Sequence, residues 1–158
     1  MNQWSYYNPV SIQYTDDYIQ VIAKSLIQHK RKNNVVLFCY RWFEDNKQFE
    51  RLINSLNKPF VYSEIEENPS FTSCQKAIDV VKDVNPDVII AIGGGSVIDT
   101  AKVVRASLYK NIFNINELFN KASIKKKIPK LIAVPTTHGT GSEVTMWATV
   151  WDLSLIHI

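Results

Sequence analysis

A run of apolar, largely β-branched residues, Ile89-Ile90-Ala91-Ile92, stops at Gly93-Gly94-Gly95 and gives way to Ser96-Val97-Ile98-Asp99-Thr100-Ala101-Lys102. No other stretch of the chain limits its fold so strongly. It reads as a buried strand, a turn of residues without side chains, and a helix opened by the serine. Glycine lets backbone N–H groups approach a ligand closely. A helix start leaves its first N–H groups unpaired and carries a partial positive charge. The combination is a phosphate cradle, and it points to a phosphorylated ligand, above all a dinucleotide.

The rest of the chain surrounds that loop with α/β punctuation. Residues 35–40, 60–62, 87–92 and 130–134 are short apolar runs without alternation, as expected of strands in a sheet covered on both faces. Helical spacing lies between them. Residues 16–28 place Tyr18, Ile19, Ile22, Leu26 and Ile27 near one face, and residues 44–56 do the same with Phe49, Leu52, Ile53 and Leu56. Residues 70–84 align Cys74, Ala77, Ile78 and Val81 behind Ser70 as a candidate N-cap, and residues 96–108 follow the glycines. Strand and helix in alternation argue for a parallel, Rossmann-like α/β sheet flanked by helices. Residues 111–127 are less regular and read as a short helix at 116–119 with a polar loop. Residues 144–151 are β-rich and read as a strand leading onward. Residues 153–158 end apolar and uncapped, which suggests a truncated or foreign end to a domain spanning 1–152.

Composition excludes more than it selects. With 158 residues and 46% hydrophobic side chains, one domain can bury a core. A formal charge of +3 is too small to argue for nucleic acid. The basic clusters at 29–32 and at 125–127 with Lys130 read as helix-end charge and solvated loop. No apolar run approaches the ~18 residues of a membrane span. Cys39 and Cys74 have neither zinc spacing nor a Cys-x-x-Cys motif, as expected of reduced structural thiols in a soluble, cytoplasmic protein.

Two loops carry the chemistry. The glycine loop is not the Gly-x-Gly-x-x-Gly of a first Rossmann strand, because it follows a later one, and no Gly-Lys-Ser/Thr makes it a P-loop. Ser96 and Asp99 have the spacing of a capping box, so plain helix capping with a tight glycine turn is the alternative. Asp99 would repel a phosphate. It suits backbone N–H groups or ribose and nicotinamide donors, with Lys102 on the same face to balance its charge. The second loop is Pro135-Thr136-Thr137-His138-Gly139-Thr140-Gly141-Ser142-Glu143-Val144-Thr145. Its hydroxyls (Thr136, Thr137, Thr140 and Ser142) follow a strand, where α/β proteins bind ligands, although an ordinary polar turn has the same composition. His138 lacks a partner at metal-ligand spacing and reads as a loop residue.

Together the two motifs, about forty residues apart, resemble those of the iron-containing (group III) alcohol dehydrogenases. Weaker similarity covers most of the chain, including Asn8-Pro9-Val10, Asn68-Pro69 and Ala148-Thr149-Val150-Trp151-Asp152. The resemblance implies an N-terminal dinucleotide domain and a C-terminal helical domain absent from this chain. It implies hydride transfer between NAD(P)H and an aldehyde or alcohol, and a homo-oligomer at full length. By the same resemblance Gly94, Gly95 and Ser96 match the pyrophosphate loop, and Asp99 a carboxylate on the nicotinamide side. Asn68 matches an adenosine- or ribose-side contact, and Thr136, Thr137, Thr140 and Thr145 the second cofactor loop. Residues 8–10 and 146–152 look most like the phosphonoacetaldehyde-reducing members.

Three departures qualify the resemblance. Many members end the first strand with an aspartate for the adenosine ribose, whereas Cys39-Tyr40-Arg41 holds no acid, and Arg41 suits a 2′-phosphate. NAD and NADP therefore both stay open. No lysine follows Asp152, where the family carries a cofactor contact. The family's Fe2+ (or Zn2+) ligands, an aspartate and three histidines lying mostly in the helical domain, are not matched by His29, His138 or His157. The chain is thus expected to be an N-terminal fragment, inactive alone. The other readings are a sugar-phosphate cyclase-type lyase, which uses NAD transiently, and a nucleotide-binding module without catalysis.

Overall fold

The computed structural model describes residues 8–28, 34–56, 58–118 and 128–152. Four strands form one parallel sheet: β1 (Val35–Cys39), β2 (Phe60–Tyr62), β3 (Val88–Gly93) and β4 (Lys130–Pro135), in the order β2-β1-β3-β4. The helices are α1 (Tyr18–Gln28), α2 (Lys47–Ser55), α3 (Phe71–Val81), α4 (Gly95–Lys110) and the single turn α5 (Ile115–Leu118).

Successive strand residues point to opposite faces, and in β1 and β3 both faces are buried, which explains their unbroken apolar runs. Val36, Phe38, Ile89 and Ala91 pack with Cys74, Ile78, Ile98 and Val104 of α3 and α4. Val35, Leu37, Val88 and Ile90 pack with Ile19, Ile22, Leu26 and Leu52 of α1 and α2. The crossover through α2 runs to one side of β1. Those through α3 and α4 run to the other, so crossovers of one hand place these helices on opposite faces. Cover is thinner at the edges, where β4 is half-buried and Phe60 of β2 is exposed.

Helix boundaries follow local side chains. Asp17 Oδ1 accepts from the Gln20 N–H at 3.2 Å, so α1 starts at Tyr18 and not at residue 16. Asn46 Oδ1 accepts from the Gln48 N–H at 2.9 Å and starts α2 at Lys47; the expected first turn of that helix is a separate 3-10 segment, Arg41–Asp45. Ser70 caps α3 in a reciprocal box with Ser73 (3.1 and 2.9 Å), confirming the expected N-cap. Asn111 closes α4 in the left-handed region.

The expected strand over 144–151 is not formed. Side chains take the backbone groups a strand would pair. Asn8 Nδ2 donates to Val144 O at 3.0 Å, Lys102 Nζ to Trp147 O at 2.6 Å, and the Thr149 N–H to Asp99 Oδ2 at 3.0 Å. Among the described residues only one bridge, Ser70 with Trp151, remains. Lys130, grouped with the basic clusters, is instead half-buried at the start of β4, with Nζ 2.6 Å from Ser25 Oγ. The clusters at 29–32 and 125–127, His29, Phe119 and residues 153–158 lie outside the described residues.

Candidate cofactor site

Strand order sets the position of the site. The chain moves from β1 outward to β2, then returns to lay β3 on the other side of β1, so the order reverses between β1 and β3. Parallel sheets bind ligands beyond their carboxyl ends at such a point. Gly93, the last residue of β3, pairs with Pro135, the last of β4, so the two sequence motifs begin side by side. The Thr136 N–H donates to Gly93 O at 3.0 Å and continues the pairing into the loops.

The glycines serve close approach. Gly94 has φ −78°, open to any residue, so no left-handed turn requires it. A Cβ there would meet Thr137 Oγ1 at 3.0 Å, and one on Gly95 would meet Thr140 Cγ2 at 3.1 Å. On Gly93 it would run into the Val97 side chain. The threonine loop therefore lies directly on the glycine loop. Gly139 and Gly141 do need their freedom, with φ of +102° and +65°.

Helix α4 begins at Gly95, one residue earlier than expected, with Gly94 as an N-cap that supplies no side-chain bond. The Ser96–Asp99 capping box is not formed. Ser96 Oγ instead accepts from the Asn68 N–H at 3.1 Å, and Asn68 itself sits in the left-handed region at φ 55°. Among the described residues the helix start keeps the positive, N–H-lined end that suits a phosphate.

Asp99 is buried and turned toward the chain. Its Oδ1 accepts from Ser142 Oγ at 2.8 Å and its Oδ2 from the Thr149 N–H at 3.0 Å. Lys102 Nζ lies 3.7 Å from Asp99 Oδ1, the charge balance expected from the sequence, and contacts Trp147 O and Thr145 Oγ1 (3.4 Å). Burial pulls the Lys102 amine below the usual lysine value, while the Asp99 carboxylate opposes that pull. The two side chains fasten residues 142–149 to α4, a role the spacing of Asp99 and Lys102 did not disclose because Ser142 and Thr149 are distant in sequence. Glu143 Oε2, alongside, is buried without a hydrogen-bond partner among the described residues.

Of the residues singled out from sequence, Gly94, Gly95, Ser96, Asn68, Thr136, Thr137 and Thr140 gather at this carboxyl edge, while Thr145 lies against Lys102 of α4. Asp99 and Ser142 lie beneath it, bonded to each other. His138 is exposed in the loop. Among the described residues no three His, Cys, Asp or Glu side chains come together as a metal would require. Cys39 and Cys74 are free and buried, and burial pushes each thiol up to about 12. No described helix is long and apolar enough to cross a membrane.

A parallel sheet with a glycine-opened helix at its switch point defines a Rossmann-like α/β domain. The family model "Iron-containing alcohol dehydrogenase" matches residues 9–155, and the chain belongs to that family. It is 28% identical over 156 residues to NADH-dependent butanol dehydrogenase B of Clostridium acetobutylicum, covering 95% of this chain and 39% of that protein. It is 35% identical over 94 residues to choline dehydrogenase of Bacillus subtilis, covering 58% of this chain and 23% of that protein. An iron-containing alcohol dehydrogenase of Thermotoga maritima superposes with a TM-score of 0.79 at 27% identity, over 96% of this chain and 43% of the other. Sulfoacetaldehyde reductase of Bifidobacterium kashiwanohense, solved with NAD+, shares the fold with a TM-score of 0.85 at 24% identity, over 98% of this chain and 42% of the other. The chain thus spans well under half the length of these relatives.

Proposed function

We propose that this chain is the NAD(P)-binding part of an alcohol dehydrogenase or aldehyde reductase that moves hydride between a nicotinamide and a small alcohol or aldehyde. The observation that carries the reading is the contact of the two loops, Gly94 against Thr137 and Gly95 against Thr140, at the uncapped start of α4. That start holds the pyrophosphate, with Gly94, Gly95 and Ser96 supplying backbone N–H groups. Thr136, Thr137, Thr140 and Thr145 donate to phosphate and ribose oxygens, and Asn68 borders the adenosine side. Asp99 acts here by holding residues 142–149 in place. The dinucleotide, when bound, supplies the hydride acceptor or donor. The family's metal is a requirement of the whole enzyme to which this chain contributes no assigned ligand.

The resemblance of residues 8–10 and 146–152 to phosphonoacetaldehyde-reducing members supports that compound as the substrate. Homo-oligomerisation at the relatives' length and a cytoplasmic location complete the proposal. The direct test is titration of the purified chain with NADH and NADPH, followed by nicotinamide fluorescence. Saturable enhancement that is lost in Gly95→Ala is expected, and no binding of either dinucleotide sinks the reading. For the protein at the relatives' length, net NAD(P)H oxidation with phosphonoacetaldehyde or a simple aldehyde is expected. Turnover without net oxidation would instead fit the cyclase-type lyase.

A further inference from the structure

A second concavity, of about 270 Å³, opens at the carboxyl ends of β1 and β2 and is lined by Arg41, Ser63, Glu64, Glu66, Ser73 and Lys76. It shares the sheet edge of the glycine loop, since β1 is the strand between β2 and β3. The threonine loop follows β4 and lies on Gly94 and Gly95, taking up the opposite side of that loop. A dinucleotide with its pyrophosphate at α4 therefore has the β1–β2 side free for its other nucleotide. On the proposed reading, this cavity receives a ribose.

The lining distinguishes one ribose from another. A free 2′-hydroxyl is a donor and is best met by a carboxylate just past β1, but that place holds Tyr40 and Arg41. A 2′-phosphate is a dianion and is best met by a guanidinium fork and an ammonium. Arg41 and Lys76 line the cavity, and neither makes an ion pair with another described residue, although Glu64 and Glu66 line it too. Glu66 also accepts from Ser70 Oγ at 3.3 Å. The carboxylates suit a 3′-hydroxyl, which both coenzymes carry. Two cations beside two carboxylates leave the lining neutral, so a phosphate is not repelled as it would be if an acid replaced Arg41.

We infer that the cavity is a 2′-phosphoribose subsite and that Arg41, with Lys76, makes the chain select NADP(H) over NAD(H). The inference rests on the dinucleotide reading given above, and one experiment separates the two. NADPH and NADH are titrated against the purified chain at low and moderate salt, with 2′,5′-ADP and 5′-ADP as competitors. NADPH is expected to bind at least tenfold tighter, with a preference that shrinks as salt rises, and 2′,5′-ADP to compete better than 5′-ADP. Arg41→Ala should weaken NADPH at least tenfold more than NADH, Lys76→Ala should do the same to a lesser degree, and Arg41→Asp should reverse the preference. Both side chains are exposed, so circular dichroism should confirm the fold of each variant. Equal or tighter binding of NADH by the parent chain overturns the inference while leaving the dinucleotide reading intact. So does an Arg41→Ala loss equal for both coenzymes. Failure of both to bind overturns the reading and the inference together.

Discussion

At the scale of single residues, the site depends on atoms that are missing. Gly95 has room for ligand approach because it carries no Cβ. The nearest obstacle to one is Thr140, with Cγ2 at 3.1 Å and Cβ at 3.3 Å. An alanine there must push the threonine loop away or lift the first turn of α4. Gly95→Ala is therefore expected to lower dinucleotide affinity at least tenfold. The effect on stability should be small, since alanine favours a helix by up to about 1 kcal/mol over glycine and offsets the strain. Thr140→Ser removes Cγ2, so the double variant should recover part of the lost affinity. Fluorescence titration of the three proteins checks this, and a double variant no better than Gly95→Ala would show that crowding against Thr140 is not the cause.

Among elements, the pairing that matters is between α4 and the irregular segment 142–149. Four contacts hold it: Asp99 to Ser142 and to the Thr149 N–H, and Lys102 to Trp147 O and to Thr145. Asp99 is buried and Lys102 is largely so, with side-chain exposures of 9% and 10%. Removing one partner strands the other, which for buried pairs costs about 3–5 kcal/mol. Asp99→Ala is expected to fall in or just below that range by urea denaturation and to open 142–152 to limited proteolysis before the sheet unfolds. Asp99→Asn, which keeps an acceptor, should lose less. Cleavage of Asp99→Ala no faster than the parent would remove the fastening role. This pairing also marks how far the sequence could be read. Strands β1 to β4, helix α3 with its Ser70 cap, and the seating of the glycine and threonine loops at strand ends were legible, because periodicity and punctuation are local. The end of strand character after Val144 was not. The β-rich composition of 144–151 was overruled by side chains reaching it from α4 and from Asn8. The cavity proposed for the ribose was legible only through Arg41, since Lys76 lies on a helix and its proximity depends on how α3 seats beside β2.

The whole molecule should carry a signature of its double-sided core in its response to alkali. Cys39 lies on the face covered by α1 and α2, and Cys74 on the face covered by α3 and α4. Burial raises both thiols from 9.0 to about 12, and Tyr62 from 10.0 to about 12. A group whose folded value is raised contributes stability that is complete below its unfolded value and is lost as pH climbs toward the folded one. The thiols should therefore begin to destabilise the fold above pH 9, and Tyr62 should join above pH 10. Each contributes a slope of up to about 1.4 kcal/mol per pH unit. Lys102 acts in the other direction. Its folded value is lowered from 10.5, so its burial is unfavourable while it is charged, and stability is regained as pH rises to 10.5. The net curve should fall less steeply below pH 10.5, where Lys102 opposes the thiols, and more steeply above it, where only losses remain. Urea midpoints from about pH 8 to about pH 11 would trace it, and Cys39→Ala with Cys74→Ala should flatten the early part of the decline. A decline equally steep in the double variant would assign the alkaline loss elsewhere. Rapid reaction of the folded parent with a thiol reagent near neutral pH would contradict the burial on which the argument stands.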